Sequence, residues 1–383
     1  MTTTSPIKLA VLDDYHGIAA QHFSHIDSSK VEVTVFKDTL PSYSHPKTSD
    51  ADRKALVDRL KPFSVLSTMR ERTAFPGELL RQLPNLKTVF ATGGKFESWD
   101  LETMKELGIK VYAAPGKGRT DGKGSGQSLR SLPVKQGGGH PTTQHVWALI
   151  LGLARNIAAD DAVVKGKGGP AGWQTELAMG LQGKTLGLVG LGRIGAHVAR
   201  VGVLAFGMKI LCWSANLTQD KADKLAEECG LPVTGAGMLD EKEKTFQVVG
   251  KEELFKSADV ISLHYVLSDR SKGIVGAQEL AWMKPSALLI NTSRGPLVDE
   301  AALLDTLKNG KIRGAALDVF DIEPLPADSP WRNVNWDEKE KSRVLLTPHM
   351  GYVEEGTLTT WYEETAENLE RLVQGKELLN QIV

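Results

Sequence analysis

Between an apolar run, TLGLV (185–189), and a helix-forming stretch, IGAHVARVGVLAF (194–206), stands GLGRIG, with Gly190, Gly192 and Gly195 in the spacing G-x-G-x-x-G. Few other features constrain a fold as tightly. The first glycine permits a tight turn out of a strand. The second lets backbone approach a pyrophosphate, and the third lets helix and strand pack closely. The helix N-terminus favours the phosphate charge. A further strand, KILCW (209–213), follows the helix, so the triplet sits inside a βαβ unit and a dinucleotide is the expected ligand. Gly190, Gly192, Arg193, Ile194 and Gly195 are the expected contacts.

Two such series run along the chain. The first has strands at IKLAVLDD (7–14), VEVTVF (31–36), SVLSTM (64–69), LKTVFAT (86–92) and IKVYAA (109–114), with a helix at 50–62 stopped by Pro62. The second has strands at 185–190, 209–213, 259–265, 287–293, 314–320 and 344–349. Alternation of this kind predicts an α/β fold of two doubly wound, mainly parallel sheets. The 383 residues exceed one ordinary core, which also predicts two domains. TTQHVWALILGLARNI (142–157) reads as one helix, apolar nearly all round and expected to be buried between domains or subunits. The last helix, 356–373, sets Leu358, Trp361, Tyr362, Leu369 and Leu372 at helical spacing, with Gly375 as its stop. Residues 116–139 are rich in Gly, Ser and Lys. They read either as a flexible linker or as a mobile flap over a site.

Composition removes several functions. A formal net charge of −1 gives no global field for nucleic acid or acidic membrane. Cys212 and Cys229 form neither a disulfide framework nor a zinc-ligand set, and His16, His22, His25 and His45 have no metal-ligand spacing. No metal site is expected. The N-terminus lacks a basic segment followed by a long apolar one, and the run 146–154 is too short to span a bilayer. A cytoplasmic protein that binds neither membrane nor nucleic acid is the expectation.

About 20 residues past such a glycine motif, a carboxylate commonly accepts hydrogen bonds from the adenosine ribose. That place falls on Ser214, in WSANLTQDK. Serine removes the repulsion that a carboxylate would exert on a 2′-phosphate. No arginine stands beside it, and Lys221 and Lys224 follow only after the loop. NAD(P) is therefore the expected cofactor, tilted toward NADP, with the alternative that Ser214 is a plain turn residue.

Three polar residues follow strand ends in the second half: Arg294 in NTSRGPLVDE, Glu323 in DVFDIEP and His349 in TPHMG. Residues past the carboxyl ends of a doubly wound sheet border the ligand crevice. Taken singly, they read as a surface ion pair, a loop charge and a turn residue. Taken together after a dinucleotide motif, they suit hydride transfer to a carbonyl. A histidine supplies the proton near neutral pH. A neighbouring carboxylate raises its pKa. A guanidinium holds a substrate carboxylate and polarises the adjacent carbonyl. His264, Tyr265, Thr292 and Asp318, on the same strand ends, are expected to contact the cofactor, whereas His145 is expected to be structural.

With these motifs in order, TLGLVGLGRIG, LINTSRGPLVDEAAL, GAALDVFDIEPLP and LLTPHMG, the chain resembles the D-isomer-specific 2-hydroxyacid dehydrogenase family over about residues 60–375. The resemblance implies that Arg294 binds the substrate carboxylate and carbonyl, that His349 is the general acid/base and that Glu323 is its partner. It implies a Rossmann cofactor domain (141–350) inserted into a flavodoxin-like substrate domain (1–140), with 351–383 returning to the latter. It also implies a homodimer and a small 2-oxo or 2-hydroxy acid as substrate. In place of the family's GxDNID loop this chain has ATGGKFESWD (91–100), so Gly93, Gly94 and Lys95 are expected to bind the substrate carboxylate. Arg70, in MRERT (69–73), is a second anion-binding candidate. The stretches at 116–139, about 235–250 and 331–343 depart from the family pattern. The rival reading is an NAD(H)-sensing binding protein, like the corepressors built on this fold; a formate or phosphoglycerate dehydrogenase is a weaker third.

Overall fold

The computed structural model describes residues 5–94, 96–125, 140–166, 173, 174, 176–338 and 340–383. The chain divides into two compact units. One comprises Met1–Ser131, Ile322–Pro324 and Glu354–Val383, the other Leu132–Asp321 and Leu325–Val353.

The first unit runs β1 (Ile7–Val11), α1 (Ala19–Phe23), β2 (Val31–Val35), α2 (Asp50–Leu60), β3 (Val65–Thr68), α3 (Gly77–Leu80), β4 (Thr88–Thr92), α4 (Leu101–Glu106) and β5 (Lys110–Ala114). The second runs α5 (Pro141–Ala154), α6 (Ile157–Val164), β6 (Thr185–Val189), α7 (Arg193–Phe206), β7 (Lys209–Trp213), α8 (Gln219–Glu228) and β8 (Gln247–Val248). It continues with α9 (Lys251–Ser257), β9 (Val260–Leu263), α10 (Ala277–Trp282), β10 (Leu288–Asn291), α11 (Glu300–Lys308), β11 (Gly314–Leu317), α12 (Pro330–Asn333) and β12 (Arg343–Leu346). The chain then returns to the first unit through α13 (Glu355–Val373).

Both sheets are parallel: the first in the order β2-β1-β3-β4-β5, the second in the order β12-β11-β10-β9-β6-β7-β8. Their strands are nearly continuous apolar runs because helices cover both faces. β4 is buried at all five positions, and β9, β10 and β11 at all four of theirs. The α/β class and the two doubly wound sheets are as the sequence predicts. Among the described residues, no helix is long and apolar enough to cross a membrane.

Three expectations change in detail. The helix at 142–157 ends at Ala154 and restarts as α6, because Asn156 adopts a left-handed conformation (φ 58) between them. Apolar residues of α5 pack inside the second unit, against α7 and β10–β12. Strands expected to reach 320 and 349 stop at Leu317 and Leu346, where Asp318 and Thr347 begin loops. The stretch 331–343 adds a stacked pair, Trp331 and Trp336, beside Phe320.

The third change concerns the glycine-rich tract, of which 126–139 lie outside the described residues. Its first part, 116–125, is neither a free linker nor a flap. It is laid along α13 by a row of glutamates spaced to share one helix face. Glu364 is buried (6% exposed) and accepts from the backbone N–H of Gly116 (2.8 Å), Lys117 and Gly118 (2.7 Å). Glu367 accepts from the Thr120 N–H (2.7 Å) and from its hydroxyl. Glu363 accepts from the Ser125 N–H, and Glu370 takes both Nη atoms of Arg119 at 2.9 Å. Small residues let successive N–H groups converge on one carboxylate, and a charged acceptor strengthens each bond. Glu364→Gln is expected to cost about 1.5–3 kcal/mol locally. It should raise amide hydrogen exchange at Gly116–Gly118 above exchange in the β1 core; unchanged exchange there would contradict this role.

Candidate active site

The order of the second sheet reverses between β6 and β9, which places a crevice at the carboxyl ends of those two strands. The glycine turn occupies that point. Gly190 has φ 98, and a Cβ there would lie 2.6 Å from the His264 carbonyl oxygen, past the end of β9. A Cβ on Gly195 would lie 2.7 Å from the Gly190 carbonyl. Both positions admit only glycine. Gly192 has open space where a Cβ would stand, just ahead of Arg193 and Ile194 in the first turn of α7. The turn therefore presents uncovered backbone at a helix N-terminus, as a pyrophosphate requires. A second observation fits a dinucleotide: one residue past β10, the buried Thr292 hydroxyl has no hydrogen-bond partner among the described residues.

Around this turn, the neighbouring loops are pinned. His264 bonds through Nε2 to the Ser262 hydroxyl at 2.9 Å, and burial pushes its pKa down to about 4, so a neutral ring stands beside the phosphate turn. Tyr265 stacks on Trp213 with ring centres 6.1 Å apart, and its hydroxyl accepts from the Ala215 N–H at 3.1 Å. That bond fixes the loop carrying Ser214, the first residue past β7.

Arg294 follows β10 by three residues. The loop is shaped locally: Asn291 Nδ2 donates to the Arg294 carbonyl (2.9 Å) and the Ser293 hydroxyl donates to the Leu263 carbonyl (2.7 Å). The adjoining Gly295 is pressed onto the loop after β11. A Cβ there would lie 2.0 Å from the Phe320 carbonyl carbon, so no other residue fits without moving backbone.

His349 follows β12 by three residues, in a left-handed conformation (φ 56) with its ring edge-on to Tyr352. Such a conformation persists when the surroundings enforce it, and here Asp318 does so. The Asp318 backbone carbonyl accepts from the His349 N–H at 2.8 Å. Its carboxylate, which is wholly buried, accepts from the Thr347 hydroxyl (2.6 Å), the Met350 N–H (2.7 Å), the Gly351 N–H (2.9 Å) and His145 Nε2 (3.1 Å). Asp318 thus gathers the TPHMG loop at the end of β11. His145 Nε2 also lies 3.0 Å from the Thr347 hydroxyl, beside the same carboxylate.

In the first unit, Arg70 stands two residues past β3 in a left-handed conformation (φ 55). Its guanidinium reaches across Gly93, where a Cβ would lie 2.8 Å from Nη1, and lies 5.7 Å from the Trp361 ring centre. Arg70, Gly93 and the exposed Gly94 are therefore neighbours at the carboxyl edge of that sheet. Lys95 lies outside the described residues. Glu323, half-buried and joined to Pro324 by a cis peptide, falls in the segment Ile322–Pro324 assigned to this unit.

A parallel sheet with this turn at its switch point, and polar side chains ranged along its carboxyl edge, defines a dinucleotide-dependent oxidoreductase fold. Comparison with known proteins agrees. Residues 147–351 match the D-isomer specific 2-hydroxyacid dehydrogenase NAD binding domain. The chain is 33% identical to a glyoxylate reductase of Aeropyrum pernix, over 78% of this chain and 77% of that one. It is 32% identical to a hydroxypyruvate reductase of Thermotoga maritima, over 79% and 83%. A crystal structure of a phosphoglycerate oxidoreductase from Vibrio cholerae superposes with a TM-score of 0.72 at 32% identity, covering 96% of this chain and 99% of that one. The chain belongs to the D-isomer-specific 2-hydroxyacid dehydrogenase family, and it is an NAD(P)-dependent enzyme of that class.

The role of Asp318 is open to test. Asp318→Asn turns one acceptor into a donor facing backbone N–H groups. The variant should lose about 2–4 kcal/mol of stability near neutral pH. Despite desolvation, the bonds from His145, Thr347 and Met350 hold the Asp318 pKa below 3.8. Its stabilisation is therefore complete above that value and falls away as pH drops through the depressed one. Denaturant unfolding should show the gap between wild type and variant closing only in strong acid.

Proposed function

We propose that the enzyme reduces a small 2-oxo acid to the D-2-hydroxy acid, with Arg294, Glu323 and His349 as its catalytic residues. The observation that carries this is the common anchoring of two loops on the end of β11. Gly295, next to Arg294, packs on the Phe320 carbonyl, and the His349 N–H bonds to the Asp318 carbonyl. The nicotinamide, when bound, supplies the hydride to the carbonyl carbon. Arg294 holds the substrate carboxylate by paired hydrogen bonds and draws electron density toward the carbonyl oxygen. As the carbon gains the hydride, the C=O π pair moves to oxygen. His349 delivers a proton there and is recharged from solvent, with Glu323 as its partner. Arg70, Gly93, Gly94 and Lys95 take the acid end of the substrate. Glyoxylate and hydroxypyruvate, named for two relatives, are the first substrates to try.

Gly190, Gly192, Arg193, Ile194 and Gly195 take the pyrophosphate, with Ser214 at the adenosine ribose and His264, Tyr265 and Thr292 lining the cofactor. The cofactor reading tilts toward NADP. Lys221 Nζ bends back to the Asn216 carbonyl at 3.0 Å, bringing to the Ser214 loop a cation that linear spacing left outside it. The working unit in this reading is a homodimer formed through the second unit, where Ile157, Val164 and Leu204 present exposed apolar surface on α6 and α7.

NADPH oxidation should be measured against a panel of 2-oxo acids. Turnover with none of them, by protein shown to bind cofactor, would sink the proposal. His349→Ala is expected to lower kcat by about 100-fold or more with little change in cofactor Kd, whereas matched losses in both would make His349 structural. The kcat/KM for NADPH should exceed that for NADH, and Lys221→Ala should erase about a factor of ten of the preference. A strong NADH preference in the wild type would contradict this reading of Ser214.

A further inference from the structure

The first unit holds a buried carboxylate that none of these steps uses. Asp13 stands two residues past β1, 3% exposed, in a left-handed conformation (φ 61) that aspartate tolerates better than most residues. Its oxygens are divided between two other loops. Oδ1 accepts from the Thr39 hydroxyl at 2.5 Å, and Oδ2 accepts from the Thr73 hydroxyl at 3.0 Å.

Thr73 closes the segment Arg70-Glu71-Arg72-Thr73, and each residue of that segment is fastened from a different place. The Arg70 N–H donates to the Thr92 hydroxyl (2.8 Å), and Glu71 accepts from the Ser98 N–H (2.9 Å). The Arg72 guanidinium lies 5.2 Å from the Tyr15 ring centre, and the Tyr15 hydroxyl accepts from the Thr39 N–H at 3.1 Å. Trp99 Nε1 donates to the Thr73 carbonyl at 3.1 Å. Asp13 and Tyr15 therefore grip the far end of a four-residue segment whose near end presents Arg70 over Gly93 and Trp361. Of these fastenings, the Asp13 side chain joins the Thr39 and Thr73 hydroxyls directly, one on each carboxylate oxygen.

The carboxylate is costly where it stands. Desolvation raises its pKa to about 6, against the pull of Thr39, Thr73 and the facing charges of Arg72 and Arg59. A folded pKa above the unfolded one means that ionised Asp13 destabilises the fold at neutral pH, and that the cost vanishes as pH falls below the ordinary aspartate value. Its use thus lies in geometry and charge behind the anion site rather than in stability.

We propose that Asp13 is a positioning residue for substrate binding: by bonding Thr39 and Thr73 at once it fixes segment 70–73, and with it the direction in which Arg70 meets the acid group of the substrate. This rests on the reading of Arg70 as a substrate-anion ligand, and the test separates the two. In the full-length enzyme, Arg70→Met is expected to raise KM for the 2-oxo acid about tenfold. Asp13→Ala should raise the same KM at least about fivefold, leaving the NADPH Kd, read by fluorescence, within about twofold. Asp13→Asn keeps the shape and should restore most of that KM at neutral pH. It should also melt above the wild type at neutral pH but not at pH 4. Thr73→Val, which deletes one bond from its other end, serves if Asp13→Ala does not fold. If Arg70→Met raises KM while the Asp13 and Thr73 variants leave it unchanged, Asp13 is not a positioning residue and the proposal is overturned with Arg70 intact. If Arg70→Met leaves KM unchanged, the anion reading fails and this proposal fails with it.

Discussion

The wholly buried carboxylate of Asp318 is the constraint on which the second unit's reactive edge depends. One side chain takes hydrogen bonds from Thr347, Met350, Gly351 and His145, while its own carbonyl takes the His349 N–H. A loop after a strand has backbone donors with no ladder partner, and each needs an acceptor once buried. Asp318 supplies them from the end of the neighbouring strand, so the position of His349 is set by β11 as much as by β12. The same strand end receives Gly295, and with it the loop of Arg294. Two side chains 55 positions apart in sequence are thereby referred to one rigid place.

Carboxylates that accept from backbone recur in the first unit. Glu364 collects three consecutive N–H groups, Glu367 and Glu370 hold Thr120 and Arg119, Asp14 caps α1 through Ile18 and Ala19, and Asp13 joins two threonine hydroxyls. A charged acceptor makes a stronger bond than a neutral one, and several donors share its desolvation. These contacts let glycine-rich and polar segments, which bury little apolar surface of their own, lie in one conformation on the sheet and on α13.

Much of this was legible beforehand, for identifiable reasons. The strands announced themselves because parallel strands covered on both faces are continuous apolar runs. The glycine turn did so because only glycine tolerates the approach of His264 and of the Gly190 carbonyl. The places of Arg294 and His349 just after strands were legible too, and the sheet order turns those places into a common edge. The tract 116–125 was misjudged because its composition says only that it has no core of its own. Its partners, the glutamates of α13, lie about 250 residues away. That the Asp318 carboxylate gathers the TPHMG loop was not visible beforehand, because an acid at a strand end looks the same whatever donors lie around it. Asp13 left no signal at all, since nothing local marks the bonds to Thr39 and Thr73.

What the sequence determined alone was therefore what depends on periodicity and on steric necessity: two parallel α/β sheets, a dinucleotide turn, and a set of polar residues at strand ends. These are local properties, carried by a few adjacent residues and the backbone between them. The tertiary structure decided which acids serve the fold and which remain for chemistry, where Lys221 turns, and how Arg70 is held. Those outcomes depend on donors and acceptors that only folding brings within 3 Å, and no spacing along the chain encodes that distance.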